Sequence, residues 1–505
     1  MPRPGKLVNK KERVGSDYDY KVHSDGVSIV MVSMGWPWSW PRGGNLPQQK
    51  YPIQRPTECA SFVGLCKEPK TATIPPPLAK IPDFRQQVRF FWAGCTINFL
   101  PDPLEVRPMT APDRSHQLAS LLAQLVQIPS INPMGRAETP PELFFEHRLT
   151  DFLEAWLVDK GYQPLRQSVA PLRDNLIAVY EPPMPPSRTI LYEVHQDTVP
   201  VEGMTIAPFG GEIREGRVFG RGACDVKGGM AVMLGTMERL QKDRLAGARV
   251  VLALTVDEEH TFLGAQRLML HKGGDLSGLC GARPDLAIVA EPTDLCIVEA
   301  HKGVARWLLS TKGVPCHSSR PEMGQNAIYR MAKVLSVLEA HAHDLSKRQG
   351  DPVLGPGTLS VGRIQGGISV NTVPDHCSIE IDRRVAPDET PALADAMLRK
   401  ALETGLGGWP EWLELPKAWM SCPGLDGPRQ QIAKEALAKA LSQCGIAPIV
   451  EAVPYGTDAS TIAEAGIPTV VFGPGDIRLA HTAAESIPIL DLGRAEEVLL
   501  ALARG

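Results

Sequence analysis

Short apolar runs alternate with amphipathic segments through most of this chain, a pattern that predicts an α/β fold. Four runs rich in Val, Ile and Leu have the length of buried strands: Thr189–Val194, Val250–Val256, Leu286–Ala290 and Pro468–Phe472. Apolar residues at helical spacing predict amphipathic helices, as at Leu118–Val126 and Glu142–Asp159. We therefore expect a mostly parallel sheet with helices on both faces.

The pattern changes between about Gly303 and Pro416. Predicted elements there follow the order strand, helix, strand, strand, helix, which is typical of a small ferredoxin-like α+β layer. The helix Gln430–Gln443 and the strand Pro468–Phe472 then return the chain to the first sheet. We predict a metal-binding catalytic domain formed by 109–302 and 417–505, with 303–416 inserted as a lid or dimerisation domain.

Residues 1–108 differ from the rest. They hold 15 of the 46 prolines and 4 of the 9 tryptophans, and 15 Lys and Arg against 9 Asp and Glu. No helical or strand period is sustained, so we expect a mostly disordered extension. A start at Met109, with the upstream sequence translated from a wrong gene prediction, is one hypothesis, and a functional N-terminal arm is the other.

Composition excludes several function classes. The chain has 505 residues and a formal charge of −4, which offers no electrostatic case for binding nucleic acid. No apolar run reaches membrane-spanning length. The ten cysteines are scattered without a C-x-x-C pair, which disfavours disulfides or a thiolate zinc site and favours the cytoplasm.

Acidic and histidine side chains follow the predicted strands. Because the carboxyl ends of parallel strands meet at one sheet edge, these side chains should converge: His195, Asp197, Glu258, Glu259, Glu291 and His481, together with Asp225 of a glycine-rich loop. Imidazole and carboxylate ligands without thiolate are typical of hydrolytic zinc sites. The sequence thus predicts a site for two metal ions, with Asp225 able to bridge them.

Each motif also has a simpler interpretation. His195-x-Asp197 occurs on ordinary surfaces; if the site is real, Asp197 either orients a metal-bound imidazole or orients the neighbouring general base. Asp225 could cap the helix that follows it, and we favour a packing role over ligation for Cys224. On an extended strand, Glu258 and Glu259 would point opposite ways, one ligating and one facing the substrate water. A G-x-S-x-G motif is absent, which disfavours a serine hydrolase.

Taken together, the motifs resemble those of the dizinc aminoacylase/carboxypeptidase family, which includes acetylornithine deacetylase and succinyl-diaminopimelate desuccinylase. The resemblance extends from about Met109 to the C-terminus. It rests on H-x-D-x-V-P at His195–Pro200, G-R-G-x-x-D-x-K-G-G at Gly220–Gly229, D-E-E at Asp257–Glu259, E-P-T at Glu291–Thr293, G-x-x-x-H-S-S at Gly313–Ser319, G-G-x-x-x-N-x-V-P at Gly366–Pro374, D-x-R at Asp382–Arg384 and Y-G-T-D-A at Tyr455–Ala459.

The resemblance implies a role for each matched residue. His195, Asp225 and Glu291 would hold one metal, and Asp225, Glu259 and His481 the other. Glu258 would be the general base and Asp197 its orienting aspartate. His317 would reach the active site of a neighbouring subunit to stabilise the oxyanion, which implies a homodimer. The substrate would be held by Asn371, Arg384, Gly456, Thr457 and Asp458.

The expected activity is metal-dependent hydrolysis of the amide bond of an N-acyl amino acid, in arginine or lysine biosynthesis. A carboxypeptidase or dipeptidase with the same site is the alternative, and a non-catalytic scaffold a distant one. Zinc is the expected metal, and cobalt and manganese suit the same ligands. The sequence leaves open whether Arg383 or Arg384 binds the carboxylate. It also leaves open whether His260 contacts substrate or an outer metal shell, or is simply a packed or solvated histidine.

Overall fold

A computed structural model describes residues 91–92, 95–96 and 113–505, the last range apart from 137–139, 141, 245–246, 271–277 and 279–280. Two units are distinguished along the chain, Met1–Pro101 and Asp102–Gly505. In the first, only strands β1 and β2 are described, and they pair antiparallel. Apart from these two strands, the predictions of disorder over 1–108 and of a start at Met109 concern residues that lie outside the described part.

The elements are numbered in chain order. The strands are β1 (Phe91–Trp92), β2 (Cys95–Thr96), β3 (Leu165–Ala170), β4 (Arg173–Tyr180), β5 (Thr189–His195), β6 (Glu212–Arg214), β7 (Arg217–Phe219), β8 (Arg249–Thr255), β9 (Leu286–Val289), β10 (Ile297–His301), β11 (Gly303–Lys312), β12 (Thr358–Gly366), β13 (His376–Val385), β14 (Leu413–Glu414), β15 (Met420–Cys422), β16 (Val450–Val453), β17 (Thr469–Val471) and β18 (Ser486–Pro488). The described helices are α1 (Arg114–Val126), α2 (His147–Asp159), α3 (Lys227–Asp243), α4 (Leu263–Met269), α5 (Ala327–Ser346), α6 (Pro391–Leu406), α7 (Gln431–Gln443), α8 (Ala459–Glu464) and α9 (Ile489–Arg504).

The large sheet has eight strands in the order β16-β10-β17-β9-β5-β8-β4-β3. Its centre, β17-β9-β5-β8, is parallel throughout. These four strands are the four predicted apolar runs, and β5 and β9 are buried along their whole length. The prediction of a mostly parallel sheet is confirmed, and the strand ends that carry the polar groups lie on neighbouring strands.

Alternate residues of the central strands pack on opposite faces of this sheet. Ile190, Tyr192 and Val194 join a core formed with α1, α2, α3, α7 and α9. Leu191 belongs to the core on the other face, formed with α4 and α8. The two-residue period of a strand therefore builds two cores from one segment, which explains why the runs are continuously apolar.

The second sheet is antiparallel, in the order β12-β13-β11-β14, with β15 also pairing with β11. Helices α5 and α6 pack against this sheet and form a separate hydrophobic core with it, in which Trp307 is buried. The order β11-α5-β12-β13-α6-β14 is that of a ferredoxin-like layer, as expected. The domain boundaries at 303 and 416 remain a prediction.

One helix differs from the expectation. A helix was predicted from Glu142, but α2 begins at His147. Phe145 has a φ of +67°, a left-handed conformation that interrupts a helix at this point.

In the described part of the chain, no helix has the length and apolar character needed to cross a membrane.

Candidate metal centre

The predicted polar residues lie together at the carboxyl edge of the four parallel strands. His195 is the last residue of β5, and Glu258 and Glu259 follow β8. Glu291 follows β9, and His481 lies beyond β17 after a short 3-10 turn at Ile477–Leu479. Because β17, β9, β5 and β8 are neighbours, segments almost 300 residues apart in sequence meet at one place.

Five of these residues form two groups that share one member. The potential ligand atoms of His195, Asp225 and Glu291 lie within 4.8 Å of one another, as do those of Asp225, Glu259 and His481. Asp225 Oδ1 lies 3.4 Å from His195 Nε2, and Asp225 Oδ2 lies 3.1 Å from His481 Nε2. One carboxylate thus presents one oxygen to each group.

The imidazole of His195 fits a metal ligand. Its Nδ1 lies 3.0 Å from the backbone oxygen of Asp197, a position from which Nδ1–H donates to that carbonyl. Its Nε2 is buried and makes no hydrogen bond, although Asp225 Oδ1 lies 3.4 Å away and Glu291 Oε1 3.7 Å away. An imidazole held by one nitrogen and unpaired at the other is the usual arrangement of a metal-binding histidine.

The charges of the site also favour cations. Burial lowers the pKa of His481, but hydrogen bonds to Asp225 and Glu259 and their charges outweigh it and raise the pKa to about 11. Burial raises the pKa of Glu291, and the charge of Asp225 raises it further. Buried carboxylates at this density require compensating positive charge, from protons or from metal ions. Protons and metals would therefore compete for these ligands.

Glu258 lies in neither ligand group. Burial raises its pKa well above the usual range, an effect that the charge of His195 opposes and that of Glu291 reinforces. The extended geometry expected here is wrong: β8 ends at Thr255, and Asp257 has a φ of +66° at the start of a turn. A turn, not strand alternation, separates the directions of Glu258 and Glu259.

Asp197 anchors that turn. Its carboxylate accepts the backbone N–H groups of Glu258 and Glu259, each at 3.1 Å. Its carboxylate Oδ1 is 3.6 Å from His195 Nδ1, whereas its backbone oxygen is at 3.0 Å. Of the two roles considered for its carboxylate, the contacts favour orienting the glutamate turn.

Asn132 was missed by the sequence analysis. Its Nδ2 donates to Asp197 Oδ2 and to Asp257 Oδ1, both at 2.8 Å, and its side chain is fully buried. Arg173 also contacts Asp257 from β4. No local pattern marks Asn132, because it lies in a loop before a proline and its partners are 65 and 125 residues away.

The glycine-rich loop brings Asp225 to the site. Gly222 has a φ of +82°, and a Cβ there would lie 2.8 Å from the Thr198 side chain, so glycine is required. Helix α3 begins at Lys227 without a side-chain cap, so Asp225 does not act as one. Cys224 is buried, its Sγ lies 3.4 Å from the Asp476 backbone oxygen, and it belongs to neither ligand group, consistent with packing.

The residues predicted in the inserted layer lie outside both ligand groups. His317 is exposed; its Nδ1 lies 2.7 Å from Ser319 Oγ, and a strand bridge joins it to Thr372. Asn371 is close by, since its backbone oxygen accepts the N–H of Ser318 at 3.0 Å. Within the described chain, these residues contact one another and not the metal groups.

The two arginines of β13 differ in availability. The Arg383 side chain is 2% exposed, and Nη2 donates to both oxygens of Glu389 at 2.8 and 2.7 Å. The Arg384 side chain is 33% exposed, and its Nε donates to Asp382 at 2.9 Å. Only Arg384 has a partly exposed guanidinium that could meet a substrate.

Two of the other predicted substrate residues are buried. Thr457 Oγ1 lies 3.0 Å from His301 Nε2, and Asp458 accepts a hydrogen bond from Thr255 Oγ1 at 3.3 Å. Of the three residues predicted here, Gly456, Thr457 and Asp458, only Gly456 is partly exposed. Thr457 and Asp458 are therefore placed to shape the loop.

His260 is half-buried, and its ring packs against that of Trp419 with centroids 4.8 Å apart. This contact favours the packing interpretation of His260.

Comparison with known proteins places this geometry in context. The sequence model of peptidase family M20/M25/M40 matches residues 191–505 of this chain. Acetylornithine deacetylase of Myxococcus xanthus is 32% identical over 357 residues, which cover 70% of this chain and 90% of that protein. An M20 family metallo-carboxypeptidase of Sulfolobus solfataricus is similar in structure, with a TM-score of 0.63, 18% identity, and coverage of 77% of this chain and 98% of that one. A dinuclear metal-binding peptidase of the M20 family from Bacillus subtilis gives a TM-score of 0.55, 20% identity and the same coverage.

Proposed function

This chain belongs to peptidase family M20/M25/M40 and is a metal-dependent amide hydrolase, and we propose that it removes the acyl group from an N-acyl amino acid. The observation that carries the proposal is the pair of ligand groups sharing Asp225, with Glu258 beside them. The acetylornithine deacetylases among its relatives favour an N-acetyl substrate of arginine biosynthesis, and succinyl-diaminopimelate in lysine biosynthesis is the second candidate.

The ligands suit two divalent ions. His195 and Glu291 would hold one, Glu259 and His481 the other, and Asp225 both. Imidazole and carboxylate donors fit zinc, and cobalt or manganese could replace it. When bound, such a pair of ions lowers the pKa of water and polarises the carbonyl of the scissile amide.

Glu258 is the proposed general base. It accepts a proton from the attacking water and delivers it to the leaving amine nitrogen. Burial raises its pKa above that of an exposed glutamate, and a carboxylate of higher pKa is a stronger base. Asp197 holds the backbone of Glu258 in place, as its hydrogen bond to that N–H supports.

The remaining groups come from both domains. Arg384 and Asn371 of the inserted layer would bind the substrate carboxylate, together with Gly456 of the catalytic domain. Thr457 and Asp458 would support the loop that carries Gly456. A planar guanidinium suits bidentate recognition of a carboxylate. His317 would donate a hydrogen bond to the oxyanion of a neighbouring active site.

That role for His317 requires a homodimer. Strand β12 is an edge strand with one exposed apolar residue near its end, Ile364, which is 57% exposed. Two more follow the strand: Ile368 is 86% exposed and Val370 100%. Unpaired edges and apolar patches of this kind are typical of association sites.

The free state of the described cysteines and their scattered positions are consistent with a cytoplasmic enzyme.

The trans arrangement has a direct test. Glu258→Gln and His317→Ala subunits, each inactive alone, would be mixed and allowed to exchange. Random pairing makes half of the dimers mixed, each with one complete site, so activity should recover to roughly a quarter of the wild type. No recovery despite exchange would place His317 in its own subunit's site, and full activity of His317→Ala alone would place it outside catalysis.

The catalytic proposal is tested with Glu258→Gln, which keeps the side-chain shape. We expect kcat to fall on the order of 10²- to 10⁴-fold while two metals per chain remain bound, measured by elemental analysis. Near-normal turnover would remove Glu258 from the mechanism.

The carboxypeptidase or dipeptidase alternative is tested by assaying N-acetylornithine, N-succinyl-diaminopimelate and a dipeptide panel. Turnover of dipeptides alone would overturn the deacylase assignment.

A further inference from the structure

Glu485 is a fully buried carboxylate surrounded by donors of the Asp225 loop. Its Oε1 accepts the backbone N–H groups of Cys224 at 2.9 Å and Asp225 at 3.0 Å. Its Oε2 accepts the N–H of Gly222 at 3.1 Å and Arg221 Nη1 at 2.6 Å. Three backbone amides and one guanidinium of five consecutive residues thus converge on a single side chain.

Glu485 also belongs to the segment that carries His481. Glu485 lies four residues after His481 and directly before β18, which pairs with β7 at the entrance of the glycine-rich loop. The backbone oxygen of Glu485 also accepts the N–H of Gly220 at 3.1 Å. Any shift of the loop carrying Asp225 relative to the segment carrying His481 therefore breaks several hydrogen bonds at Glu485.

Fold stability alone is a poor explanation for this arrangement. A buried ion pair such as Arg221–Glu485 contributes little net stability compared with a well-packed apolar pair, because both charges lose their hydration. What the carboxylate does supply is geometry. Convergent backbone amides form an anion-binding nest, and an anion in the nest holds the loop in one conformation.

We infer that Glu485 is a positioning residue that aligns Asp225 with His481, so that Asp225 can present one oxygen to each metal. The inference rests on the proposed two-metal function. It assigns Glu485 no contact with substrate or metal. Its contribution is to metal affinity, because groups that orient metal ligands typically change affinity about 10- to 100-fold when removed.

Glu496 provides a matched control. It is also fully buried, and it also pairs with arginines, namely Arg114 at 2.6 Å and Arg239 at 3.4 Å. Its hydrogen bonds in the described structure come from these side chains and not from the loop that carries Asp225. Removing its charge disturbs a buried ion pair of α9 without touching the nest.

The experiment is a zinc titration of the full-length, chelator-treated protein against a competing chromophoric chelator. Glu485→Gln should bind zinc about 10- to 100-fold more weakly than the wild type, whereas Glu496→Gln should bind it like the wild type. The cobalt-loaded protein gives a second readout, because displaced ligands change the visible absorption bands of the Glu485→Gln variant only. Equal zinc affinities for the two variants would overturn the inference.

Two further outcomes are informative. A wild-type protein that binds no metal would overturn the two-metal function itself, independently of Glu485. If Glu485→Gln does not fold, Glu485→Asp keeps the charge but shortens its reach. Weaker zinc binding by a folded Glu485→Asp, relative to Glu496→Gln, supports positioning, and unchanged binding refutes it.

Discussion

The replacement Asn132→Ala should separate positioning of Glu258, the proposed general base, from stability of the fold. Asn132 makes three hydrogen bonds, two from Nδ2 to the carboxylates of Asp197 and Asp257, both at 2.8 Å, and one from the Met134 N–H to Oδ1 at 2.9 Å. Hydrogen bonds to charged groups contribute about 1.5–3 kcal/mol each. Because both aspartates keep other donors, we take the low end of each range, about 1.5 kcal/mol for each bond to an aspartate and about 0.5 kcal/mol for the neutral bond to Met134. The free energy of unfolding should therefore fall by about 3.5 kcal/mol.

The larger effect should be on turnover. Asp197 and Asp257 hold the turn that carries Glu258, and a displacement of a catalytic group by about 1 Å can cost on the order of 10²-fold in rate. We therefore expect kcat to fall roughly 100-fold, with a much smaller change in KM. Steady-state kinetics and urea denaturation of the same preparations measure the two effects.

Asn175→Ala is the matched control for this prediction. Asn175 is also fully buried, but its three hydrogen bonds join the neutral groups of Gln167, Gly264 and Val256. Its removal should destabilise the protein by about 2 kcal/mol and leave kcat within a few-fold of the wild type. If the two variants lost activity equally, the clamp by Asn132 would have no special role in catalysis.

The remaining predictions concern acid stability, substrate binding and metal removal. Burial lowers the pKa of His301 from 6.5 to about 4, so its neutral form stabilises the fold above pH 6.5. That contribution, about 3 kcal/mol, is lost as the pH falls from 6.5 to 4 and should vanish in His301→Gln, followed by denaturation at several pH values. Arg384→Gln should raise KM roughly 10- to 100-fold, whereas Arg383→Gln should lower stability, because it leaves Glu389 unpaired; the reverse pattern in kinetics and melting curves would exchange the two assignments. Chelation should lower the melting temperature and zinc should restore it, since ligands that bind only the folded state add about 4 kcal/mol at a thousandfold excess over Kd; an unchanged melting temperature would contradict a metal-stabilised site.

The large sheet and the meeting point of its strand ends could be predicted from sequence. Strands buried on both faces are continuously apolar, so β5, β8, β9 and β17 are visible as runs of Val, Ile and Leu. Parallel pairing then places their carboxyl ends at one edge, whatever the details of the connections. The residues in the two ligand groups are those that the sequence nominated.

The details that depend on contacts could not be predicted in this way. The turn at Asp257 replaced the extended geometry expected for the two glutamates, because a positive φ is not visible in the letters D-E-E. Thr457 and Asp458, nominated for substrate, are buried against His301 and Thr255. Arg383 and Arg384 are identical as letters, and only the Glu389 pair distinguishes them.

The sequence alone therefore determined the architecture and the chemical type of the site, because both follow from local patterns of apolar and metal-binding side chains. Only the tertiary structure decided what holds those side chains in place. Asn132 and Glu485 are single polar residues in loops, and their partners are 65 to 264 residues away. A hydrogen bond depends on where two groups lie in space, and loop segments carry no periodicity from which that position could be inferred.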